Sequence, residues 1–524
     1  MNAIARDLQA QITVRNPASQ EIVGSVPESS QEEIKAAVER ARAAQTRWAA
    51  ASISTRLTVL RRFRQLLVEQ KHKIAAVITA ESGKPLAEAL STEILVVLDA
   101  VRFLLNNAPS FLRSQPVPHA NLAMKLKRGL LIRQPYGVIG IISPWNYPFS
   151  LPSVQALTGL ITGNAVVLKP SELTPFSSLE LKRLLDEAGL DRDLLHIVTG
   201  EGAVGGALVA SGIDKLVFTG SVATGRKVAQ VAAARLLPVV LELGGKDPMI
   251  VLDDADVDVA SSAAVWGAFM NAGQTCLSVE RCYVHHSIYD RFLQACVEKT
   301  ARLQQGPGAE PNVDLGPMIH ERQLRVVERH IQDALSRGAR LLAGGKVLPQ
   351  LGPNFFAPTV LSDVTHEMAV MREETFGPVL PVCNFKTEDE AVALANDSEF
   401  GLAASVWTKD RGRGEALSRR INAGTVMVND VIACFGISEA PHGGVKASGI
   451  GRTHGRFGLE EMVWPKYVDS DLLPGVKKLW WYGYGAAFQN QMAGFVDFLF
   501  GRNLINRMRG AANSTGSFLR RKLL

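Results

Sequence analysis

The feature that most constrains the fold is a strict alternation of short apolar runs with amphipathic stretches in the first half of the chain. Runs rich in β-branched residues occupy positions 136–143, 164–170, 194–200, 215–220 and 238–245. Helix-like segments separate these runs. Continuously apolar strands that alternate with helices indicate βαβ units, whose parallel sheet is buried on both faces. The sequence therefore predicts an α/β fold with a doubly wound, Rossmann-like sheet.

Further helices and a second α/β unit flank this sheet. From Gln31 to about Leu112, apolar residues recur at the i, i+3, i+4 and i+7 spacing of amphipathic helices. After residue 244, strand-like runs at 281–286, 378–385, 404–409 and 423–430 alternate with helical segments. A chain of 524 residues is too long for one hydrophobic core, so two or three domains are expected.

Charge and cysteine content exclude several classes of protein. The net charge is +6, but from Lys477 onward the chain has eight basic residues and one acid, so the rest is close to neutral. A nucleic-acid-binding body is therefore not expected. The five cysteines form no close CxxC pair, which argues against a disulfide framework and against a metal site. The first residues lack the apolar core of a signal peptide, so a cytoplasmic protein is expected.

Several polar residues stand where ligands of α/β sheets commonly bind. Gly220 lies where a strand meets a helix, a position suited to a phosphate, although its spacing equally fits a simple strand end. Cys276 follows a helical stretch; a lone cysteine is more often an inert packing residue than a nucleophile. Glu242 follows a buried strand, where a structural ion pair is the alternative. Asn146 fits a turn as well as a site, and Lys169 ends an apolar strand.

Taken together, eight segments resemble the aldehyde dehydrogenase superfamily in order and spacing. They are PWNYPF, LKPSELTP, FTGSVATG, LELGGKDP, NAGQTC, EETFGPV, GLAASVW and GGVKASGIG, and they span roughly residues 12 to 470. The resemblance implies a cofactor-binding domain (1–123 and 137–243), a catalytic domain (244–445), β-arms for oligomerisation (124–136 and 462–475) and an appended basic tail (476–524). It also implies a homodimer or homotetramer, in which the arms pair by strand addition.

The resemblance assigns catalytic roles. Cys276 would attack the aldehyde carbon and form a thiohemiacetal, then a thioester. The amide of Asn146 and the backbone N–H of Cys276 would stabilise the oxyanion. Glu242 would act as general base for the hydrolytic water. Its presence favours hydrolysis over transfer of the acyl group to coenzyme A.

The resemblance also assigns the cofactor contacts. Lys169 and Glu172 are similar to the pair that holds the adenosine ribose, and Gly220 and Ser221 would meet the pyrophosphate. The residues expected at the nicotinamide end are Trp145, Glu374 and Phe376. Because the Glu172 carboxylate would repel a 2′-phosphate, NAD is the expected cofactor and NADP the alternative.

The residues expected to line the aldehyde tunnel are Tyr147, Thr275, Leu277 and His442. His442 departs from the family pattern, which commonly has Phe there; it would tune the polarity of the tunnel or merely pack. The positions are mostly apolar and include no arginine, which favours an apolar medium- or long-chain aldehyde. A semialdehyde or an aromatic aldehyde is the alternative substrate. A catalytically retired structural or membrane-associated protein is the alternative of a different class.

The tail beyond the family's usual catalytic body combines aromatic residues with a basic end. Residues Phe488, Met492, Phe495 and Leu499 recur at helical spacing, but polar residues interrupt the run. An interfacial helix on a membrane surface is therefore expected rather than a spanning one. The alternative is a helix packed against a neighbouring subunit.

Overall fold

The computed structural model describes residues 10–121, 124–478 and 480–518. The basic residues expected at the end of the tail, Arg520, Arg521 and Lys522, lie outside the described residues. The chain forms two compact units: one extends up to Arg113 and continues over Arg133–Pro465, and the other comprises Ser114–Ile132 and the chain from Lys466 onward. Each unit is described by itself below.

In chain order the strands are β1 (Gln11–Arg15), β2 (Ile22–Pro27), β3 (Gln115–Val117), β4 (Lys127–Pro135), β5 (Val138–Ile142), β6 (Ala165–Lys169), β7 (Leu195–Ile197), β8 (Lys215–Thr219), β9 (Val239–Glu242), β10 (Asp247–Val251), β11 (Val279–His285), β12 (Arg340–Ala343), β13 (Thr359–Ser362), β14 (Val379–Phe385), β15 (Ala403–Trp407), β16 (Thr425–Val428), β17 (Gly449–Ile450) and β18 (Val463–Asp471). The first ten α-helices are α1 (Gln31–Ala50), α2 (Ile53–Glu69), α3 (Lys71–Ser82), α4 (Leu86–Glu88), α5 (Leu95–Leu112), α6 (Ser150–Ile161), α7 (Pro175–Glu187), α8 (Gly202–Ala210), α9 (Val222–Ala233) and α10 (Val257–Phe269). They are followed by α11 (Tyr289–Thr300), α12 (Glu321–Ser336), α13 (Ala369–Arg372), α14 (Glu388–Asn396), α15 (Arg411–Ser418), α16 (Gly455–Glu461), α17 (Ala486–Phe500) and α18 (Leu504–Phe518).

The first sheet of the large unit has the strand order β17-β9-β8-β5-β6-β7. The pairs from β9 to β7 are parallel, and every residue of β5 and β6 is buried. Helices α1, α2, α6 and α7 pack around this sheet in one apolar core. The doubly wound α/β architecture predicted from the apolar runs is confirmed.

The edge of this sheet is completed by a segment that lies far along the chain. Strand β17 pairs antiparallel with β9, so that Gly449 lies opposite Glu242. Gly449 has a φ of 145°, and a Cβ there would lie 2.1 Å from the carbonyl oxygen of Leu241, so only glycine permits this approach. Residues 446–461, which the sequence patterns leave unassigned, therefore belong to the first sheet and its core.

The second sheet has the order β12-β13-β14-β11-β10-β15-β16 and is parallel except for the edge strand β12. Strand β10 follows β9 after a short Gly-Gly connection, so the chain passes directly from one sheet to the other at Gly244 and Gly245. A Cβ on Gly245 would lie 2.3 Å from the carbonyl oxygen of Cys276. This connection therefore brings the end of the first sheet against the loop that carries Cys276.

The amino-terminal helices form as their periodicity predicts. A capping box begins α1, in which the Ser30 hydroxyl accepts from the N–H of Glu33 and the Glu33 carboxylate accepts from the N–H of Ser30. One turn of π-helix, Ala89–Ile94, lies between α4 and α5. The hairpin of β1 and β2, which precedes these helices, is not evident from the sequence patterns.

The small unit contains a sheet in the order β18-β4-β3 and a pair of helices, α17 and α18. The two segments predicted as arms are thus strands β4 and β18. Helices α17 and α18 approach closely because Gly494 and Gly510 face each other: a Cβ on either would lie 2.6 Å from the other's carbonyl oxygen. Among the described residues, none of the helices combines the length and apolar character needed to cross a bilayer.

Candidate active site

Two cavities of the large unit meet at Cys276. One, called here the polar cavity, has a volume of ≈ 320 Å³, and the other, called the apolar cavity, has ≈ 290 Å³. Among the described residues only Cys276 and Leu151 line both. Cys276 therefore lies between two cavities, one whose wall includes carboxyl groups and one whose wall is mostly apolar.

Cys276 follows a tight, irregular turn. Asn271 and Ala272, in this turn, have φ values of 54° and 55°, which side-chain-bearing residues rarely adopt. The Gln274 side chain holds the turn by accepting from the N–H of Ile319 at 2.9 Å and donating to the carbonyl of Asn271 at 3.0 Å. The strained backbone is thus fixed by hydrogen bonds that place the Cys276 thiol at the junction of the cavities.

The thiol of Cys276 is in a carboxylate-rich environment. Burial raises its pKa well above the usual value, and the carboxylates of Asp247, Glu374 and Glu242 raise it further. The resting side chain is therefore a thiol at neutral pH, and the reactive thiolate is a minor species.

The loop that carries Asn146 lies beside this turn. The Asn146 side-chain amide donates to the backbone carbonyl of Gln274 at 3.1 Å, while the backbone carbonyl of Asn146 accepts from Lys84 Nζ at 2.8 Å and from Asn271 Nδ2 at 3.0 Å. The amide group is therefore anchored next to the nucleophile rather than placed on a free loop.

A buried ion pair, which sequence reasoning missed, supports this loop. Lys84 Nζ lies 2.6 Å from Glu93 Oε1, and both side chains are fully buried. The second oxygen of Glu93 accepts from the N–H groups of Phe149 and Ser150, at 3.1 and 2.7 Å. The sequence offers a signal only for Glu93, which directly precedes the apolar run that begins α5; Lys84 lies in the connection between α3 and α4, where a lysine is ordinary.

Glu242 lies at the end of β9 and lines the polar cavity. Its Oε1 accepts from Thr453 Oγ1 at 2.9 Å, and its Oε2 lies 3.1 Å from Nε2 of His442. Burial raises the pKa of Glu242, but the neighbouring His442 charge and hydrogen bonds outweigh burial and hold the pKa below its usual value. Glu242 is therefore ionised at neutral pH.

The position of His442 differs from the prediction that it lines the aldehyde tunnel. Phe435 lines the apolar cavity, and His442 packs edge-on behind that ring with centroids 5.0 Å apart. The imidazole is 3% exposed and faces Glu242. A buried cation is stabilised by pairing with a buried carboxylate, which explains why the ring turns away from the cavity.

The polar cavity combines groups suited to the pyrophosphate and nicotinamide end of a dinucleotide. Gly220 and Ser221 line it at the amino-terminal end of α9, which presents the positive end of a helix to a phosphate. Glu374 and Phe376 line the same cavity, and Trp145 packs edge-on against Phe376 with centroids 5.4 Å apart. The helix terminus fits the pyrophosphate, and the carboxyl group and the aromatic ring fit the nicotinamide riboside.

Two further residues expected to contact the cofactor lie outside the walls of this cavity, at the end of β6. Lys169 Nζ is 3.5 Å from Glu172 Oε2; the lysine is almost fully buried, whereas the glutamate side chain is 38% exposed. Burial lowers the pKa of Lys169. A cation and a carboxylate at the end of a parallel strand are suited to ribose hydroxyls.

The loop between α13 and β14, which carries Glu374 and Phe376, has its own buried support. Lys246 Nζ lies 2.5 Å from Glu280 Oε2, and Glu280 accepts from the N–H groups of Thr375 and Phe376, at 2.8 and 2.9 Å. This pair was also missed from the sequence. Burial raises the pKa of Glu374 to about 8, with the Glu280 carboxylate contributing.

The apolar cavity contains three of the four predicted tunnel residues. Tyr147, Thr275 and Leu277 line it, and the Tyr147 hydroxyl lies 2.8 Å from Thr275 Oγ1. The rest of its wall is formed by Ser91, Thr92, Val96, Leu151, Trp266, Met270, Cys276, Ile432, Ala433, Phe435 and Gly436. Over the described residues, the wall holds no lysine, arginine or histidine.

Comparison with known proteins supports the family that the eight motifs predict. Residues 4–468 match the aldehyde dehydrogenase family. The chain belongs to this family. It is an NAD(P)-dependent enzyme that oxidises an aldehyde, and the prediction of this activity from the eight motifs is confirmed.

Individual relatives cover most of the enzyme. A putative NADP-type succinate-semialdehyde dehydrogenase of Mycolicibacterium smegmatis is 41% identical over 436 residues, 83% of this chain and 84% of that one. A 4,4′-diapolycopene aldehyde oxidase of Methylomonas sp is 40% identical over 495 residues, 94% and 92% of the two chains. The solved structure of an NAD-dependent aldehyde dehydrogenase from Sinorhizobium meliloti aligns with a TM-score of 0.86 at 37% identity, over 90% and 93% of the chains.

Proposed function

We propose that the enzyme oxidises an apolar, medium- or long-chain aldehyde to its carboxylic acid through a thioester on Cys276. The single observation that carries this proposal is that Cys276 lines both the polar and the apolar cavity. An aldehyde in the apolar cavity and a dinucleotide in the polar cavity would approach the same sulfur from different sides.

In the acylation step, Cys276 releases its thiol proton to solvent, and the resulting thiolate attacks the aldehyde carbon. The side-chain amide of Asn146 and the backbone N–H of Cys276 stabilise the oxyanion that develops; one such donor contributes about 3–4 kcal/mol to lowering the barrier. Lys84 and Asn271 hold the backbone carbonyl of Asn146, and the Gln274 carbonyl holds its side-chain amide; this supports the role, because a preorganised donor needs no rearrangement when charge appears.

The cofactor is assigned to the polar cavity and the adjoining end of β6. Lys169 and Glu172 would hold the adenosine ribose, and the helix end at Gly220 and Ser221 the pyrophosphate. The residues assigned to the nicotinamide end are Trp145, Glu374 and Phe376. When bound, the nicotinamide supplies the hydride acceptor. The first sheet thus forms the cofactor-binding domain and the second sheet the catalytic domain.

In the hydrolytic step, Glu242 accepts a proton from water as the water oxygen bonds to the thioester carbon. The C–S bond then breaks, its electron pair stays on Cys276 Sγ, and the proton is passed on so that the thiol is restored. The ionised state of Glu242 supports this role.

The wall of the apolar cavity supports an apolar substrate. Its aromatic and aliphatic side chains, such as Trp266, Met270 and Ile432, would bury a hydrocarbon chain, and within the described residues it offers no cation to pair with a terminal carboxylate. The Methylomonas relative is named for a diapolycopene aldehyde, which agrees with this choice. The names of other relatives specify succinate semialdehyde, which is the competing substrate.

The assay is reduced-nicotinamide absorbance with straight-chain aldehydes of increasing length and with succinate semialdehyde. We expect kcat/KM to rise with chain length and activity to vanish in Cys276→Ala, whereas Cys383→Ala, which removes another partly exposed cysteine, stays active. A preference for the semialdehyde would overturn the substrate proposal, and activity in Cys276→Ala would overturn the mechanism.

We further propose that the pair α17 and α18 binds the surface of an anionic membrane. Its exposed apolar residues include Phe500, Leu504, Ile505 and Met508, each more than 60% exposed. Arg502, Arg507 and Arg509 lie among them and would bind lipid phosphates. Co-flotation with phosphatidylserine vesicles should occur for the full chain and be lost on deletion of residues 477–524. Equal binding to phosphatidylcholine vesicles, which carry no net charge, would contradict the proposed attraction between the arginines and an anionic membrane.

Assembly into a homodimer or homotetramer is assigned to β4 and β18. Trp464 and Tyr467 of β18 are 39% and 49% exposed, which supports a surface awaiting a partner subunit. Light scattering on the full chain and on Tyr467→Glu should show a loss of the oligomer in the variant. An unchanged mass would contradict this assignment.

A further inference from the structure

The two oxygens of Glu242 are held by side chains of one segment of the chain. Thr453 Oγ1 donates to Oε1 at 2.9 Å, and His442 Nε2 lies 3.1 Å from Oε2. The backbones of His442 and Thr453 are joined by reciprocal N–H to carbonyl hydrogen bonds of 2.8 and 2.7 Å. The pairing of Gly449 with Glu242 brings this segment to the edge of the first sheet. Both partners of the carboxylate are therefore fixed relative to each other and to β9.

The surroundings of His442 favour the imidazolium. Burial lowers the pKa of His442, but the Glu242 carboxylate and the Cys434 side chain outweigh burial and raise the pKa to about 10. His454, the other histidine of this group, has its pKa lowered to about 3 by burial and by the His442 charge, although Glu242 and Asp99 act in the opposite direction. At neutral pH His442 is thus charged and His454 is neutral.

The neutral histidine gives the hydrogen bonds a defined direction. The Thr453 hydroxyl donates its one proton to Glu242, so His454 Nδ1, 3.1 Å away, must donate to the Thr453 oxygen. Phe435 packs edge-on against both histidine rings, with centroids 5.0 and 4.6 Å away. In the hydrogen bonds from His454 to Thr453 and from Thr453 to Glu242, each donor therefore points toward the Glu242 carboxylate.

We propose that His442 is a positioning residue for the hydrolytic half of the reaction, which with Thr453 keeps Glu242 ionised and oriented between turnovers. This inference rests on the proposed roles of Cys276 and Glu242. His442 itself touches neither substrate nor thioester. The proton that Glu242 accepts from water returns to the thiolate of Cys276, so thioester and water give acid and thiol, and His442 ends each cycle in its starting state.

The effect of removing His442 follows from the groups that face it. Without the imidazolium, burial raises the pKa of Glu242 and the Thr453 hydrogen bond remains to oppose it; the pKa of His454 also rises, because the His442 charge no longer lowers it. A larger share of Glu242 is then protonated at neutral pH, and its basic form returns as pH rises. Hydrolysis slows, whereas the Cys276 thiol becomes easier to ionise, because the Glu242 carboxylate no longer raises its pKa. The thioester therefore accumulates.

The experiment separates the two half-reactions without the cofactor. p-Nitrophenyl acetate acylates Cys276 with release of nitrophenolate, and intact-protein mass spectrometry detects the acetyl adduct. The variants are His442→Phe, which keeps an aromatic ring beside Phe435, His442→Gln, which keeps a donor without the charge, and Thr453→Val. His366→Gln is the matched control; it changes a histidine between β13 and α13 that contacts Tyr283 and Asp397.

For His442→Phe we expect a nitrophenolate burst of about one per subunit, a persistent acetyl adduct, and a steady rate reduced about tenfold or more at neutral pH. This loss is smaller than the roughly hundredfold loss at the low end for removal of a general base itself. The loss should diminish toward alkaline pH. His442→Gln should be intermediate, Thr453→Val should show a smaller burst, and His366→Gln should match the parent.

Two results would overturn the inference. One is a steady rate and pH profile of His442→Phe that superimpose on those of the parent. The other is an equal loss of burst rate and steady rate, which indicates general structural damage. Failure of the proposed function is distinguishable, because the parent itself would then form no acetyl adduct on Cys276.

Discussion

Lys84 Nζ donates to the carbonyl oxygen of Asn146 at 2.8 Å from a position with no solvent exposure of its side chain. The same ammonium group pairs with Glu93 and lies 4.1 Å from the centre of the Tyr147 ring. One buried cation thus fixes the backbone of the residue assigned to the oxyanion and the side chain next to it in the apolar cavity.

We predict that Lys84→Met destabilises the fold and lowers turnover. Loss of one partner leaves the Glu93 carboxylate buried and unpaired by a cation, which costs about 3–5 kcal/mol. Thermal unfolding and kcat are the measurements. Lys182→Met, which removes a partly exposed pair with Asp186, is the control and should cost about 1 kcal/mol or less. Equal effects of the two substitutions would refute the assigned importance of the buried pair.

The double variant Lys84→Met, Glu93→Leu separates stability from positioning. Removing both charges eliminates the unpaired carboxylate, so part of the lost stability should return. Turnover should stay low because the N–H groups of Phe149 and Ser150 lose their acceptor. Full recovery of kcat would show that the pair serves stability alone.

Alkylation of Cys276 by iodoacetamide should be slow at neutral pH and rise about tenfold per pH unit in the cofactor-free enzyme, since only the thiolate reacts and the pKa of the thiol is raised. Peptide mass spectrometry, with Cys383 as the internal reference, gives the rate at each pH. Labelling that is fast and independent of pH across the neutral range would indicate a resting thiolate and contradict this expectation.

Substitution Glu172→Gln should shift cofactor preference toward NADP. The change removes one negative charge that would face a 2′-phosphate; at contact distance in water this interaction is about 1 kcal/mol, or roughly fivefold in the ratio of kcat/KM values. Steady-state kinetics with both cofactors measure the ratio. Glu298→Gln, on the exposed side of α11, should leave it unchanged. An unaltered ratio in Glu172→Gln would remove this residue from the assigned ribose site.

Glu374→Gln should become progressively more stable than the parent as pH rises. The pKa of Glu374 is raised to about 8 by burial, above its value of 4.5 in an unfolded chain. Between these values the folded parent holds a proton that the unfolded chain has lost, so its stability falls with increasing pH, and the glutamine variant escapes this fall. The difference in Tm should grow from about pH 5 to pH 8 and then level off. A difference that does not vary with pH would contradict the raised pKa.

The sequence predicts the sheets better than it predicts the connections between distant segments. Apolar runs at 138–142 and 165–169 are buried on both faces, and such runs identify strands without any tertiary information. In contrast, β17 has two residues and pairs with β9 across more than two hundred positions, which no local pattern reveals. The position of His442 was missed for the same reason, since its partner Glu242 is close only after this pairing forms.

The catalytic candidates could be proposed from the sequence because their motifs are local. The supporting ion pairs of Lys84 with Glu93 and of Lys246 with Glu280 could not, since both lysines lie in connections between elements; Glu280, a charge within the buried strand β11, is the visible signal. Sequence alone identifies such a residue as costly to bury, but only the folded chain shows which partner compensates for the cost.

The separation of the two cavities has a consequence for how this enzyme can change over evolutionary time. Trp266, Met270 and Ile432 border the apolar cavity and do not border the polar one, so mutations there can alter the aldehydes accepted while the dinucleotide site stays intact. Besides the nucleophile Cys276, Leu151 is the exception among the described residues, because it belongs to both walls. Substrate range and cofactor choice can therefore change largely independently of each other.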